Sequence, residues 1–138
     1  MGRYLAIDHG SKRIGLAISD PMKIIAKPFK TITYNNLDEF FTLFIKILEE
    51  KDVECIVLGL PIGMKGQETL QTKNVLEFQK KLKLKIKIPV FLQDERLSSL
   101  SAKKSLIQQK IKTGHNKSKI DETAAAIFLQ QFLDTNRL

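Results

Sequence analysis

Three carboxylates, Asp8, Glu95 and Asp121, come from separate segments, two at strand ends and one on a core-facing helix stripe where an acid is costly unless it has a partner. Asp8 ends the apolar run Tyr4-Leu5-Ala6-Ile7, where a buried strand runs out into solvent. Open α/β sheets take their ligands at that edge. Asp121 falls on a 3.6-residue stripe with Ala124, Ala125, Phe128, Leu129 and Phe132, in line with the sheet-facing side of a helix. It therefore calls for a metal, a cation or backbone donors. Glu95 stands just beyond the end of Val90–Gln93, a strand read as parallel to the first. Three acids from separate segments at one sheet edge suit a hard divalent cation, Mg²⁺ or Mn²⁺. Two such ions activate a water and steady the leaving oxygen in phosphodiester hydrolysis. Asp20 and Asp94 also stand near strand ends, but Asp94 should project opposite to Glu95, and both are given supporting roles.

Each acid also has a plainer reading. Asp8 can bond the backbone of the turn that follows it. Asp121 closes Ser118-Lys119-Ile120-Asp121, the form of a capping box, and the two roles are compatible. The elements around the acids decide how much weight the metal reading carries.

Tyr4–Ile7 and Ile14–Ile18 are nearly all apolar, as strands covered on both faces are, and His9-Gly10-Ser11-Lys12 supplies the turn. Ile24–Thr33 reads as a third strand whose Pro28 demotes it to an edge or a bulge. Asn36 caps a helix with Leu37, Phe40, Phe41, Phe44, Ile45 and Leu48 on one face, its aromatics serving as core packing. Val53–Leu58 is a fourth, buried strand that ends in Gly59-Leu60-Pro61-Ile62-Gly63-Met64-Lys65-Gly66. No Gly-Lys-Ser/Thr follows, so this loop is not a Walker motif, although Lys65 and the N–H groups at the next helix start could hold a phosphate. That helix begins near Glu68 and carries Val75, Phe78 and Leu82. It runs into Lys81–Ile88, which alternates at period two and fits helix or strand alike. Val90–Gln93 is the fifth strand, and a helix from Ser98 or Ser99 to about Gln109 follows. A basic loop over Ile111–Lys119 and a last helix from near Ser118 to about Asp134 complete the chain.

A chain of 138 residues without repeat, linker or low-complexity tract reads as a single domain over residues 1–138. No run of about 18 apolar residues is present, so no membrane span is expected. The lone Cys55 reads as a reduced core thiol, which points to the cytoplasm, and two histidines with one cysteine do not make a zinc site. Lys and Arg outnumber Asp and Glu by 23 to 15, a net charge of +8, which invites a polyanionic partner. The alternative is a merely soluble, lysine-rich surface.

Asp8-His9-Gly10-Ser11-Lys12-Arg13-Ile14-Gly15, Gly59-Leu60-Pro61, Asp94-Glu95-Arg96-Leu97-Ser98 and Ile120-Asp121-Glu122-Thr123-Ala124-Ala125 together resemble the YqgF family. These are the Holliday-junction-resolvase-like proteins, also described as pre-16S ribosomal RNA nucleases. The motifs occur in order and span essentially the whole chain. The resemblance implies an α/β, ribonuclease-H-like three-layer fold. Its mixed five-stranded sheet has three antiparallel strands, then two parallel ones, with helices on both faces. The family's acids fall on Asp8, Glu95 and Asp121. The wider resolvase group carries an acid on the fourth strand, where this chain has Gly59. With strands one, four and five adjacent, Asp8 and Glu95 start about 9–10 Å apart, and Gly59 leaves the space between them open.

The expected activity is metal-dependent endonucleolytic cleavage of structured nucleic acid, foremost 5′-end processing of precursor 16S ribosomal RNA. Asp8, Glu95 and Asp121 are the expected catalytic and metal-binding residues. Lys12, Arg13, Lys65, Arg96, Lys117 and Lys119 are the expected phosphate contacts, and Arg96 could equally pair with a carboxylate. Branched DNA is the alternative substrate, as for a Holliday-junction resolvase. A non-catalytic ribosomal-RNA assembly factor is the second reading and an actin-like ATPase the third. A monomer and a weak homodimer both fit the sequence.

Overall fold

The first hairpin forms the middle of a five-stranded sheet ordered β3-β2-β1-β4-β5 in a computed structural model that describes residues 2–10, 12–63, 65–94 and 117–136. Strand β1 (Arg3–His9) pairs antiparallel with β2 (Arg13–Ser19), which pairs antiparallel with β3 (Ala26–Thr33). On its other side β1 runs parallel to β4 (Val53–Leu60), and β4 runs parallel to β5 (Val90–Asp94). This is the mixed sheet expected from the sequence. Pro28 has both consequences open to it: β3 is an edge strand, and its register with β2 shifts between Leu16 and Ala17.

Helices cover both faces. Period-two alternation sends Leu5 and Ile7 of β1, Ile14 and Leu16 of β2, and Ile56 and Leu58 of β4 to one face. There they pack with Phe40, Phe41 and Phe44 of α1 (Leu37–Glu50) and with Val75, Phe78 and Leu82 of α2 (Leu70–Lys85). Asn36 caps α1 by accepting the Glu39 N–H at 2.9 Å, as its sequence anticipates. The other face is made of smaller residues, Ala6, Ala17 and Val57. It receives Ala125, Ala126, Phe128, Leu129 and Leu133 of α3 (Lys117–Thr135).

The ambiguous Lys81–Ile88 segment resolves as helix to Lys85, with Ile86 as its C-cap. Leu82 decides it. That side chain is fully buried against the sheet, while Leu84 stays 86% exposed. The helix expected from Ser98 or Ser99 lies outside the described residues. No helix among the described residues is long and apolar enough to cross a membrane.

His9 closes β1 rather than opening the turn, and it points to the α1/α2 face with its ring centroid 4.6 Å from that of Phe78. Burial there lowers its pKa from 6.5 to about 4. The unfolded chain takes up this proton near pH 6.5, whereas the folded chain resists it until about pH 4. Stability is therefore complete above pH 6.5 and declines as pH falls toward 4, by about 2 kcal/mol at pH 5. Urea midpoints at pH 7.5 and 5.0 should show this loss in the wild type and a smaller one in His9→Phe.

Candidate functional site

The side chains of β1 that face α3 are Tyr4, Ala6 and Asp8, so Asp8 is the charged end of a row that otherwise packs against the helix. Its partner across the hairpin is Gly15. Directly opposed residues of an antiparallel pair send their side chains to the same face. Gly15 therefore marks a gap beside Asp8, on the side where α3 lies.

Asp121 fills that gap. A Cβ added at Gly15 would lie 2.6 Å from the Asp121 carbonyl carbon and 2.7 Å from its Cβ. The missing side chain is what lets the first turns of α3 rest on β2. Cross-strand neighbours hold their Cβ atoms about 4.5–5.5 Å apart, so those of Asp8 and Asp121 are within roughly 8 Å of each other. Two carboxylates expected from segments 113 residues apart in the sequence meet at one end of the sheet.

Four hydrogen bonds hold α3 in this position. The Arg13 Nε donates to Asp121 Oδ2 at 3.2 Å, linking the helix to β2. The Thr31 hydroxyl donates to Glu122 Oε2 at 2.9 Å, linking it to β3. Farther along, Gln130 accepts the Ala26 N–H at 2.8 Å and donates to the Ile24 carbonyl at 2.9 Å. The core-facing acid thus has a cation as one partner, as its position demanded. The Arg13 and Asp121 side chains are 36% and 26% exposed, so solvent screens the pair. Its loss in Arg13→Gln should cost no more than about 1 kcal/mol by urea unfolding. The pairing uses Nε out of five guanidinium donors, which leaves a phosphate contact compatible with it.

On its other flank β1 meets β4. The register Ile7↔Leu58 brings Gly59 alongside Asp8, and Gly59 in turn pairs with Gln93 of β5. Phe91 lies on the α3 side, its ring 5.7 Å from that of Phe132, so alternation puts Gln93 on the Asp8 face and Asp94 on the other. Strands one, four and five are adjacent, as the spacing argument required. Glu95 and Arg96 lie outside the described residues. Lys117 and Lys119 belong to the first turn of α3, with no side-chain placement described. Among the described residues no group of three His, Cys, Asp or Glu gathers as a metal site. Asp8 and Asp121 supply hard oxygen donors on one face with small neighbours, which fits a divalent cation bound with a further acid or with waters.

Lys12 is exposed in the hairpin turn, which Tyr34 braces from β3's end. The Tyr34 hydroxyl donates to the Gly10 carbonyl at 2.9 Å and its N–H to the Lys12 carbonyl at 3.2 Å. Lys65 is exposed too, and the Gly63, Lys65 and Gly66 N–H groups of its loop are bonded within the loop. The Gly63 N–H reaches the Gln67 carbonyl at 2.8 Å, and the Lys65 N–H reaches Gln67 Oε1 at 3.0 Å. Thr69 and Thr72 cap α2 reciprocally, and the Thr72 hydroxyl also bonds the Pro61 carbonyl. Asp20 has the supporting role expected of it. The Ile25 and Ile24 N–H groups bond its carboxylate and hold its pKa below the usual carboxylate range.

Gly15 and Tyr34 shape the surroundings of Asp8, Gly15 by admitting Asp121 and Tyr34 by bracing the turn, and the sequence reading gave neither a role. A glycine inside a strand signals close backbone approach, so Gly15 was legible in principle. Nothing local marks Tyr34.

Residues 2–135 match the family described as RuvX: Holliday junction resolvase. A Maridesulfovibrio salexigens protein named "Putative pre-16S rRNA nuclease" is 39% identical over 95% of this chain and 97% of its own length. A Rickettsia typhi protein of the same name is 42% identical over 94% of this chain and 83% of its own. Among solved structures, T. thermophilus RuvC in complex with a Holliday junction substrate superposes with TM-score 0.62 and 13% identity over 98% and 95% of the two chains. The Fowlpox virus resolvase in complex with Holliday junction DNA gives TM-score 0.58 and 12% identity over 96% and 97%. Both share the ribonuclease-H-like fold.

Proposed function

The chain belongs to the RuvX family of Holliday junction resolvases, and from that premise we propose that it is an endonuclease of structured RNA, acting at the 5′ side of precursor 16S ribosomal RNA. The observation that carries the reading is the seating of Asp121 on Gly15, beside Asp8 and at the open end of β1. Asp8 and Asp121 hold a divalent cation in this reading, with Glu95, which follows β5 directly, as the third ligand. A cation bound there supplies an activated water and neutralises charge on the scissile phosphate. Arg13 fixes the orientation of Asp121 through Oδ2. Lys12, Lys65, Arg96, Lys117 and Lys119 take neighbouring phosphates, consistent with the net charge of +8. The reading places the protein in the cytoplasm with its substrate.

Branched DNA is the second substrate, favoured by the folds that it shares with junction-bound resolvases. A cleavage assay with precursor ribosomal RNA and a four-way DNA junction, each with Mg²⁺, Mn²⁺ or chelator, tests both. Metal-dependent cutting of the RNA alone is the expected result. Cutting of the junction alone moves the substrate to DNA. Binding without cutting, with any metal, makes the protein an assembly factor.

A further inference from the structure

Asp8 and His9 are consecutive, so β1 ends by pointing a carboxylate to one face of the sheet and an imidazole to the other. The second direction leads into a cavity of about 380 Å³ between the hairpin, the start of α1 and the middle of α2. His9 is partly exposed there, and the buried Phe78 backs it at 4.6 Å. Tyr34 forms a second aromatic wall, held in place by its hydroxyl bond to the Gly10 carbonyl. The amides of Asn35 and Asn74 line the rim with the ammonium of Lys81. Among the described residues these three side chains have no hydrogen-bond or ion-pair partner.

Held aromatic rings, uncommitted amides and one cation are the parts that recognise a nucleotide. An aromatic ring stacks with any base, and a side-chain amide offers both a donor and an acceptor to a base edge. Lysine meets a phosphate as a point charge. Glu77, also at the rim and 3.8 Å from Lys80, can accept from an exocyclic amino group. The volume suits one nucleotide and is too small for a base pair with its backbone.

We infer that this cavity binds one unpaired nucleotide, its base against His9 and Tyr34, its edge on Asn35 and Asn74, and its phosphate near Lys81. The inference rests on the nuclease reading and deepens it. Asp8 and His9 leave the same end of β1 on opposite faces of the sheet, so a strand that carries a phosphate to Asp8 brings a nearby nucleotide to His9 by passing around that open end. The pocket then selects substrates with an unpaired nucleotide beside the cleavage position. Such selection needs no reading of duplex sequence.

Fluorescence anisotropy tests this with the full chain, using an RNA duplex with a blunt end and the same duplex with a single-stranded overhang. The wild type should bind the overhang duplex about tenfold more tightly, the worth of about one stacked base. Asn74→Ala with Lys81→Ala, both on the exposed side of α2, should abolish that preference and leave blunt-duplex binding unchanged. His9→Ala should do the same, with its unfolding temperature measured alongside. An overhang preference that survives both variants overturns the pocket, as does equal wild-type binding of the two duplexes. Adenosine 5′-monophosphate as competitor separates a free nucleotide from one within a strand. Displacement that vanishes in His9→Ala supports the pocket for either source, and displacement that persists in His9→Ala overturns it. Wild-type cleavage of precursor RNA, measured on the same preparation, keeps the two readings apart. Cleavage with no overhang preference removes the pocket alone, whereas binding of neither duplex removes both.

Discussion

Replacing Asp8 with Asn should slow metal-dependent cleavage by about a thousandfold while RNA affinity stays within about twofold. The change is isosteric and keeps the backbone pairing of Asp8 with Gly15, so the sheet is not disturbed. It removes one of the negative charges that would hold a divalent cation, an interaction worth several kcal/mol in the transition state. Affinity, by contrast, comes mostly from lysine and arginine contacts to phosphates, and Asp8 makes none of these. Single-turnover cleavage of precursor ribosomal RNA and filter binding on the same protein separate the two effects. Undiminished cleavage would dismiss Asp8 as a ligand. Parallel loss of cleavage and binding would make it a positioning group for the strand.

Gly15→Val should be the most damaging substitution outside the carboxylates. Its Cβ would lie 2.6 Å from the Asp121 carbonyl carbon and 2.8 Å from the carbonyl oxygen. These are helix backbone atoms, which cannot swing aside as a side-chain tip can. Overpacking of this kind costs about 1–3 kcal/mol for a first added group, and the two further methyls of Val add to it. Because relief comes from lifting α3 off β2, the Arg13–Asp121 bond and the approach to Asp8 go with it. Cleavage should therefore be lost even at temperatures where circular dichroism shows the variant folded. Gly15→Ala gives the graded case, with a lower urea midpoint and partial activity. Wild-type stability in both variants would show that α3 has room to spare.

The strongly periodic elements were legible in the chain. The Phe40, Phe41, Phe44 stripe and the Asn36 cap define α1, and the unbroken apolar runs define β1, β2 and β4, because burial on one or both faces writes itself into local spacing. Lys81–Ile88 was not legible. Its alternation satisfies a strand, and the contact that settles the matter, Leu82 against the sheet, is long-range. The site divides in the same way. Asp8 and Asp121 follow from position within their own elements. Their meeting depends on Gly15, whose close neighbour is 106 residues away in the sequence. The cavity beside His9 draws on three separate segments, each of which looks ordinary alone. A turn residue by its local sequence, His9 becomes a wall of that cavity only because β1 continues one pair further, to Ile14.

The central position of β1 also limits how this gene can change. With hydrogen-bonded neighbours on both sides, the strand cannot absorb an extra residue at a free edge. One codon inserted ahead of Asp8 within the strand would exchange its two faces. The carboxylate would then enter the phenylalanine layer, and the imidazole would meet the alanines of α3. Two inserted codons restore the faces but carry Asp8 past Gly15, away from Asp121. Past the register shift beside Arg3, the stretch from Tyr4 to Asp8 can therefore vary in composition but not in length, and tolerated insertions should collect in the exposed turns such as Pro21–Met22.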